Sequence, residues 1–225
     1  CIQLNPFMLR QIITNGLPAG IQNSVISIAN VFIQSNINSF GKIAMAGCGA
    51  YSKVEGFAAL PVTCFSMALT TFISQNLGAG KYDRVRKGAR FGVLCGMTLT
   101  ELIGLVLYVT MPVLISFFNN DPEVIAYGTK QAHIVTPFYF LMAYSHCTAG
   151  IMRGAGKSSV PMFVMLLCWC LLRVPYVSLA VHLNPIIDVV FWAYPITWGL
   201  STLVFTLYYF KADWMHAFER REKHA

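Results

Sequence analysis

Charge is what this sequence has least of. Only 11% of its 225 residues are Asp, Glu, Lys or Arg, whereas 56% are hydrophobic, and the mean hydropathy is +0.59. An ordinary soluble domain carries about a quarter charged residues. Too little polar surface is present to cover a water-soluble core, so hydrocarbon is the natural solvent. Acids are the scarcest group, with nine Asp and Glu against 16 Lys and Arg. The seven cysteines are odd in number, form no CxxC and mostly sit in apolar runs, where Cys acts as a small hydrophobe. That pattern argues against a metal centre or a disulfide framework. Phosphate-binding signatures fail as well. Gly78-Ala79-Gly80-Lys81 and Gly154-Ala155-Gly156-Lys157 lack the spacing of a P-loop, and read instead as tight turns between helices. No catalytic pair or triad is visible, so an enzyme is not expected. The chain opens at Cys1 without the pattern of a cleaved signal, and is read as a piece of a longer polypeptide.

Long apolar runs are abundant. A membrane-spanning helix needs roughly 20 mostly apolar residues, and six stretches qualify: about 12–38, 44–77, 89–118, 124–152, 159–182 and 188–210. A basic tail follows over 211–225. The runs are continuously apolar rather than alternating, which excludes a membrane barrel. The expected fold is therefore all-α and integral to the membrane, a six-transmembrane-helix bundle. Six passes put both ends of the chain on one side. There lie Arg10, the cluster Lys81, Arg84, Arg86, Lys87 and Arg90, then Arg153 and Lys157, and finally Lys211, Arg220, Arg221 and Lys223. The opposite loops hold only Lys42. The positive-inside rule then places both termini in the cytoplasm of a plasma-membrane protein. No basic face is interleaved with stacking aromatics, so nucleic acid is not an expected partner; the lipid bilayer is. Gly88, Gly92 and Gly96 form a small-residue stripe for helix packing. Pro18, Pro61, Pro112, Pro137, Pro175 and Pro195 fall in or near the spans, as expected of a bundle that bends.

Ionisable groups at membrane depth face a cavity or a partner. Glu55 is the first candidate for exchanging a coupling cation, since a carboxyl in a poorly hydrated cavity can trade a proton near neutral pH. The bland alternative is a structural ion pair with Arg173. Glu101 is a second cation-coupling candidate, or equally a buried hydrogen bonder between helices. Candidates for a substrate cavity are Asn23, Asn30 and Gln34, which share one face of the first helix, together with Lys53, His133, Tyr139 and Arg173. Interhelical hydrogen bonding is the competing reading for the amides. Phe138, Tyr139 and Tyr144 would add an aromatic wall suited to organic cations. His133 and His146 fall on different helix faces, which argues against a shared metal.

Four motifs in order carry a family resemblance: Gly16-Leu17-Pro18-Ala19-Gly20, Gln75-Asn76-Leu77-Gly78-Ala79-Gly80-Lys81-Tyr82-Asp83-Arg84, Arg153-Gly154-Ala155-Gly156-Lys157 with Pro161, and Arg173-Val174-Pro175. Over nearly its whole length the chain resembles the second, C-terminal six-helix lobe of the MATE (multidrug and toxic compound extrusion) family. The resemblance implies one lobe of a twelve-helix antiporter that exports organic, cationic or multidrug-type compounds in exchange for H⁺ or Na⁺. It needs no other cofactor. It also implies two partners, a small organic substrate and the N-terminal six-helix lobe of the same polypeptide. Two departures stand out. Where some relatives carry a coupling carboxylate in the first helix of this lobe, the chain has Ile26, and no acid occurs from Gly16 to Gly41. The relatives' acid in the fourth helix is missing too. Coupling then falls to Glu55 or to the other lobe. Two further readings stay open: a lipid-linked oligosaccharide flippase of the same superfamily, gripping pyrophosphate through Lys53, Lys130 and Arg173, and a non-transporting membrane fragment. Whether the parent gene encodes six preceding helices separates the last from the others.

Overall fold

The computed structural model describes residues 6–215, and every regular element among them is helical. In chain order these are α1 (Pro6–Asn38), α2 (Lys42–Gly78), α3 (Tyr82–Ser116), α4 (Pro122–Val135), α5 (Tyr139–Gly154), α6 (Ser159–Met165), α7 (Arg173–Leu183) and α8 (Asp188–Lys211). The expected basic tail lies outside the described residues beyond Met215, as does the side chain of Arg10.

The two Gly-Ala-Gly-Lys segments are turns, and for one reason. Gly80 and Gly156 adopt φ of 67° and 70°, a region glycine enters without steric cost. Lys81 N donates to Asn76 O at 2.9 Å and Gly80 N to Leu77 O at 3.0 Å; Lys157 N and Gly156 N repeat this on Met152 O and Arg153 O at 2.8 and 2.9 Å. Each is a Schellman cap that uses up carbonyls a helix end would leave bare. At the opposite end of the bundle, Asp121 caps α4 by accepting from Glu123 N at 2.9 Å, with Pro122 as the first helical residue.

Five helical stretches are long and apolar enough to cross a membrane: Ile12–Asn38, α2, α3, Ser159–Leu183 and α8. The fourth expected span is broken. Pro137 has no N–H to offer His133 O, and a 3₁₀ turn over Thr136–Phe138 separates α4 from α5. Neither arm alone has the length of a span; end to end they form the fourth pass, packed on α2 and α3. The fifth pass carries a π turn, Leu166–Leu171, between α6 and α7. Pro175 sits in the first turn of α7, where its missing N–H costs nothing. Helices α1, α2, α3 and α8 run unbroken through Pro18, Pro61, Pro112 and Pro195, so the expected bending concentrates in the fourth and fifth passes.

Helix α2 is the pillar of the bundle, packed against α3, α4 and α5. In lipid, helices associate through close backbone approach and hydrogen bonds rather than through a hydrophobic drive. The glycine stripe of α3 supplies the first contact: Gly88 lies under Phe72, Gly92 under Leu69 and Gly96 against Cys147 Sγ. On α4 and α5, Gly128 faces Gly47, and Gly150 and Gly154 face the backbone of Ser66 and Thr70. Hydrogen bonds reinforce the α2–α5 crossing: Ser66 Oγ donates to His146 O at 2.7 Å, Thr70 Oγ1 to Gly150 O at 3.0 Å, and Arg153 Nη2 to Ser66 Oγ at 2.9 Å. The outer side of α3 instead exposes Phe91, Leu94, Leu102, Leu105, Val109 and Val113. Such a stripe suits acyl chains, not water.

A Cβ at Gly47 would stand 2.5 Å from Val124 O and 2.9 Å from Tyr127 Cβ, with backbone on the far side that cannot yield. Gly47→Ala is expected to cost about 2 kcal/mol by overpacking. The readout is a lowered apparent Tm in detergent, and an unchanged Tm would refute the close α2–α4 approach.

Candidate functional site

The interior of the bundle holds one connected set of polar and aromatic side chains. Glu55, half-buried on α2, accepts from Tyr51 Oη at 3.3 Å. The two residues are one helical turn apart, which puts them on the same face. Tyr51 Oη in turn lies 3.0 Å from Tyr139 Oη at the start of α5, both rings being fully buried. The Tyr139 ring is 6.1 Å from Trp198 of α8, and Trp198 meets Tyr194 edge-on at 5.9 Å. A chain of contacts thus runs from Glu55 on α2 through α5 to α8.

Arg173 closes the set from α7. It is 2% exposed and is the largest fully buried side chain among the described residues. Its Nε and Nη2 donate to Thr197 Oγ1 at 2.9 and 2.6 Å, and its guanidinium lies 4.7 Å from the Tyr194 ring and 5.2 Å from the Trp169 ring. Electron-rich faces stabilise a desolvated guanidinium. The ion pair with Glu55 weighed from the sequence does not form, for Arg173 does not come within salt-bridge distance of any carboxylate among the described residues. A hydroxyl and two rings take that role instead.

Glu101 does something different. Its Oε2 accepts from Phe140 N at 3.0 Å. That amide lies just past the Thr136–Phe138 break, in the first turn of α5, where no intrahelical carbonyl is in reach. Of its two readings from the sequence, the hydrogen bonder between helices is the one its contacts support. Gly104, one turn further along α3, lets the break approach, since a Cβ there would stand 2.9 Å from Thr136 O.

The other candidates lie apart. Lys53 is exposed, its Nζ 5.3 Å above the Phe118 ring. His133 is on the outside of the fourth pass, stacked on Tyr108 at 4.2 Å with Nε2 3.0 Å from Tyr108 O. Lys130 pairs with Asp188 at 2.6 Å, tying α4 to α8. Phe138 and Tyr144 do not continue the aromatic wall of Tyr139; Phe138 meets Trp192, and Tyr144 Oη accepts from Thr206. Lys53, Lys130 and Arg173 therefore do not converge.

On α1, at about 100° per residue, Asn23, Ser27, Asn30, Gln34 and Asn38 fall within about 80° of arc. Asn23 and Asn30 are exposed and Gln34 half-buried. Gln34 Nε2 donates to Asn38 Oδ1 at 3.0 Å within the helix. Among the described residues, none of the three amides bonds to another helix of the bundle. A second arc, with Gln22, Ala29, Ile33 and Ile37, is buried against the bundle, and a third presents Ile21, Ile28, Val31 and Phe32 outward. The helix is thus built for three different surroundings.

Tyr51, Tyr194, Thr197, Trp169 and Trp198 were not singled out from the sequence. The signal for Tyr51 was its four-residue spacing from Glu55; the others are joined to Arg173 and Tyr139 only by the packing of α7 and α8.

The family model described as MatE matches residues 18–179. The chain belongs to the MatE family. Its relatives include the probable multidrug resistance proteins YoeA and YpnP of Bacillus subtilis. YoeA is 22% identical over 209 residues, which cover 92% of this chain and 45% of that protein. YpnP is 29% identical over 164 residues, 73% of this chain and 37% of that one. Among solved structures, a MOP superfamily transporter from Pyrococcus furiosus superposes with a TM-score of 0.83 at 16% identity, over 89% of this chain and 44% of that one. At that identity the likeness speaks for the fold alone. This MatE-family chain spans less than half the length of these relatives, as expected of a single lobe, and it is a multi-pass membrane protein.

Glu101→Ala leaves the Phe140 amide without an acceptor in a dry interior, at a cost of about 1–3 kcal/mol. Glu101→Gln keeps a carbonyl there and should retain most of the stability. Thermal denaturation in detergent compares the two; equal losses would remove the cap from the explanation of the break.

Proposed function

We propose that this chain is the C-terminal lobe of a cation-coupled antiporter that exports organic, cationic or multidrug-type compounds, with Glu55 as the coupling carboxylate. H⁺ or Na⁺ is the exchanged ion. The observation that carries the reading is the state of Glu55. It is a carboxylate inside a membrane bundle, held by a tyrosine hydroxyl, with the Arg173 guanidinium near enough to attract it but outside salt-bridge distance. A structural acid in hydrocarbon is expected to be paired. One that is not paired is free to bind and release a cation. The names of YoeA and YpnP support multidrug-type substrates for the family.

The polar stripe of α1 gives the second support. Five amide or hydroxyl side chains along one exposed face are expensive against acyl chains, so this face belongs against water or the other lobe. Asn23, Asn30 and Gln34 then line the substrate path between two six-helix lobes of one polypeptide in the plasma membrane. The basic loops between α2 and α3 and between α5 and α6 support an orientation with both ends of the chain in the cytoplasm. The oligosaccharide-flippase alternative loses support from the scattering of Lys53, Lys130 and Arg173, since a pyrophosphate grip needs converging cations.

Glu55→Gln in the full-length polypeptide is expected to abolish ion-driven efflux while surface expression stays normal. Unchanged coupled transport would take Glu55 out of the mechanism. Collapsing the proton and sodium gradients one at a time identifies the ion. For the α1 stripe, Asn30→Cys should react with a membrane-impermeant maleimide and Ile28→Cys should not. Labelling of Ile28→Cys with protection of Asn30→Cys would reverse the assignment of the two faces.

A further inference from the structure

The end of the α2–α3 hairpin carries a groove of about 600 Å³ lined by Phe72 of α2 and by Asp83, Arg84, Lys87, Gly88 and Phe91 of α3. It is separate from the Glu55 network. Arg84, Lys87, Gly88 and Phe91 stand at i, i+3, i+4 and i+7, one face of α3. From Arg84 to Phe91 the helix rises about 10 Å. The groove is therefore two-ended, with a guanidinium and an ammonium at the helix start and aromatic rings deeper in. Gly88 lets Phe72 pack directly on α3 and forms the floor. Phe91 is 70% exposed and continues into the apolar outer stripe of the helix.

Two features call for an anionic occupant. Arg84 and Lys87 are exposed and have no salt-bridge partner among the described residues. Around them, Lys81, Arg86 and Arg90 raise the positive potential, and among the described residues Asp83 is the single acid lining the groove. An occupant must also be amphiphilic. A free anion would leave the rings of Phe72 and Phe91 bare, whereas a neutral lipid would leave the two cations unanswered. We propose that this groove binds one anionic phospholipid, its phosphate between Arg84 and Lys87 and the upper part of an acyl chain along Phe72, Gly88 and Phe91. A basic pocket at the membrane surface between spanning helices is suited to such a headgroup, and a guanidinium holds phosphate through paired N–H donors. The rest of the basic cluster attracts the lipid to this leaflet; the groove selects where it stays.

Native mass spectrometry of the full-length polypeptide, released from detergent with added phosphatidylglycerol or phosphatidylcholine of matched chains, tests this. Bound phosphatidylglycerol is expected to exceed phosphatidylcholine about tenfold and to survive excess inorganic phosphate. Arg84→Gln with Lys87→Gln should abolish that preference. Arg86→Gln with Arg90→Gln removes the same charge from another face of α3 and should leave most of it. Phe91→Ala should weaken retention of both lipids. Equal losses from the two charge pairs would reduce the effect to general surface attraction and overturn the site. So would equal binding of the two lipids, displacement by phosphate, or a groove covered by the other lobe and closed to both lipids.

Discussion

Hydrocarbon offers no partner to a peptide N–H or C=O, so each departure from α-geometry in this bundle needs a protein group to take up the freed amides. The fourth pass shows how that constraint organises its neighbours. Pro137 interrupts the ladder, the chain tightens into a 3₁₀ turn over Thr136–Phe138, and Phe140 N finds Glu101 Oε2 from α3. Gly104 has to be small so that Thr136 can come this close. In the fifth pass the π turn closes with Leu172 N on Leu167 O at 3.0 Å, five residues back, before Arg173 begins α7. At the hairpin ends, glycines with positive φ allow the Schellman bonds. A carboxylate, a close glycine approach, two glycine turns and the closing bond of a π turn thus answer the same demand at different depths.

The scarcity of charge decides how the interior is wired. Placing an ionised side chain at the centre of a membrane helix costs about 2.5–3.5 kcal/mol even on the milder scales. Arg173 meets that cost with a bidentate contact to Thr197 and two aromatic faces. A desolvated cation–π contact contributes about 2 kcal/mol and a hydrogen bond to a charged group about 1.5–3, which is enough. Arg173 therefore needs no carboxylate in direct contact, and Glu55 keeps only its bond to Tyr51 and a longer-range attraction to Arg173. Had the two met as an ion pair, Glu55 would not be available to an exchanged cation.

Much of the architecture was legible in the sequence because its signals are local. The apolar runs marked the passes, the Gly-Ala-Gly-Lys segments marked turns, and Gly88, Gly92 and Gly96 marked the face of α3 that packs inward. The break in the fourth pass was half legible: Pro137 announced a kink, but an apolar run reads the same whether one helix or two carry it. The site was less so. Asn23, Asn30 and Gln34 shared a face by spacing alone, and Glu55 stood out as a lone acid. Glu101 gave no hint of its partner, because a backbone amide thirty-nine residues away has no signature in composition. His133 and Lys53 were counted among cavity residues by depth. Depth does not say which way a helix face turns, and both are exposed on this lobe, away from the Glu55 network.

The strength of the Glu55 connections bounds what they can do if Glu55 is the coupling residue. Tyr51 links it to Tyr139, the first residue of α5, next to the amide that Glu101 holds, so Glu101 meets the fourth pass at its break directly and Glu55 only through Tyr51. A single neutral hydrogen bond contributes about 1 kcal/mol. Driving a two-state bundle from one state to the other takes about 5.5 kcal/mol. Losing the Tyr51–Glu55 bond is therefore too small to switch the lobe. The charge on Glu55 matters more, because an ion that neutralises it removes much of the cost of holding it in a dry interior. On that reading the hydrogen-bond chain would carry the state of Glu55 to the fourth pass, and the neutralisation would supply most of the free energy. The remainder would then come from the surface the lobe does not bury by itself, the amide stripe of α1, whose surroundings would change if two lobes moved against one another.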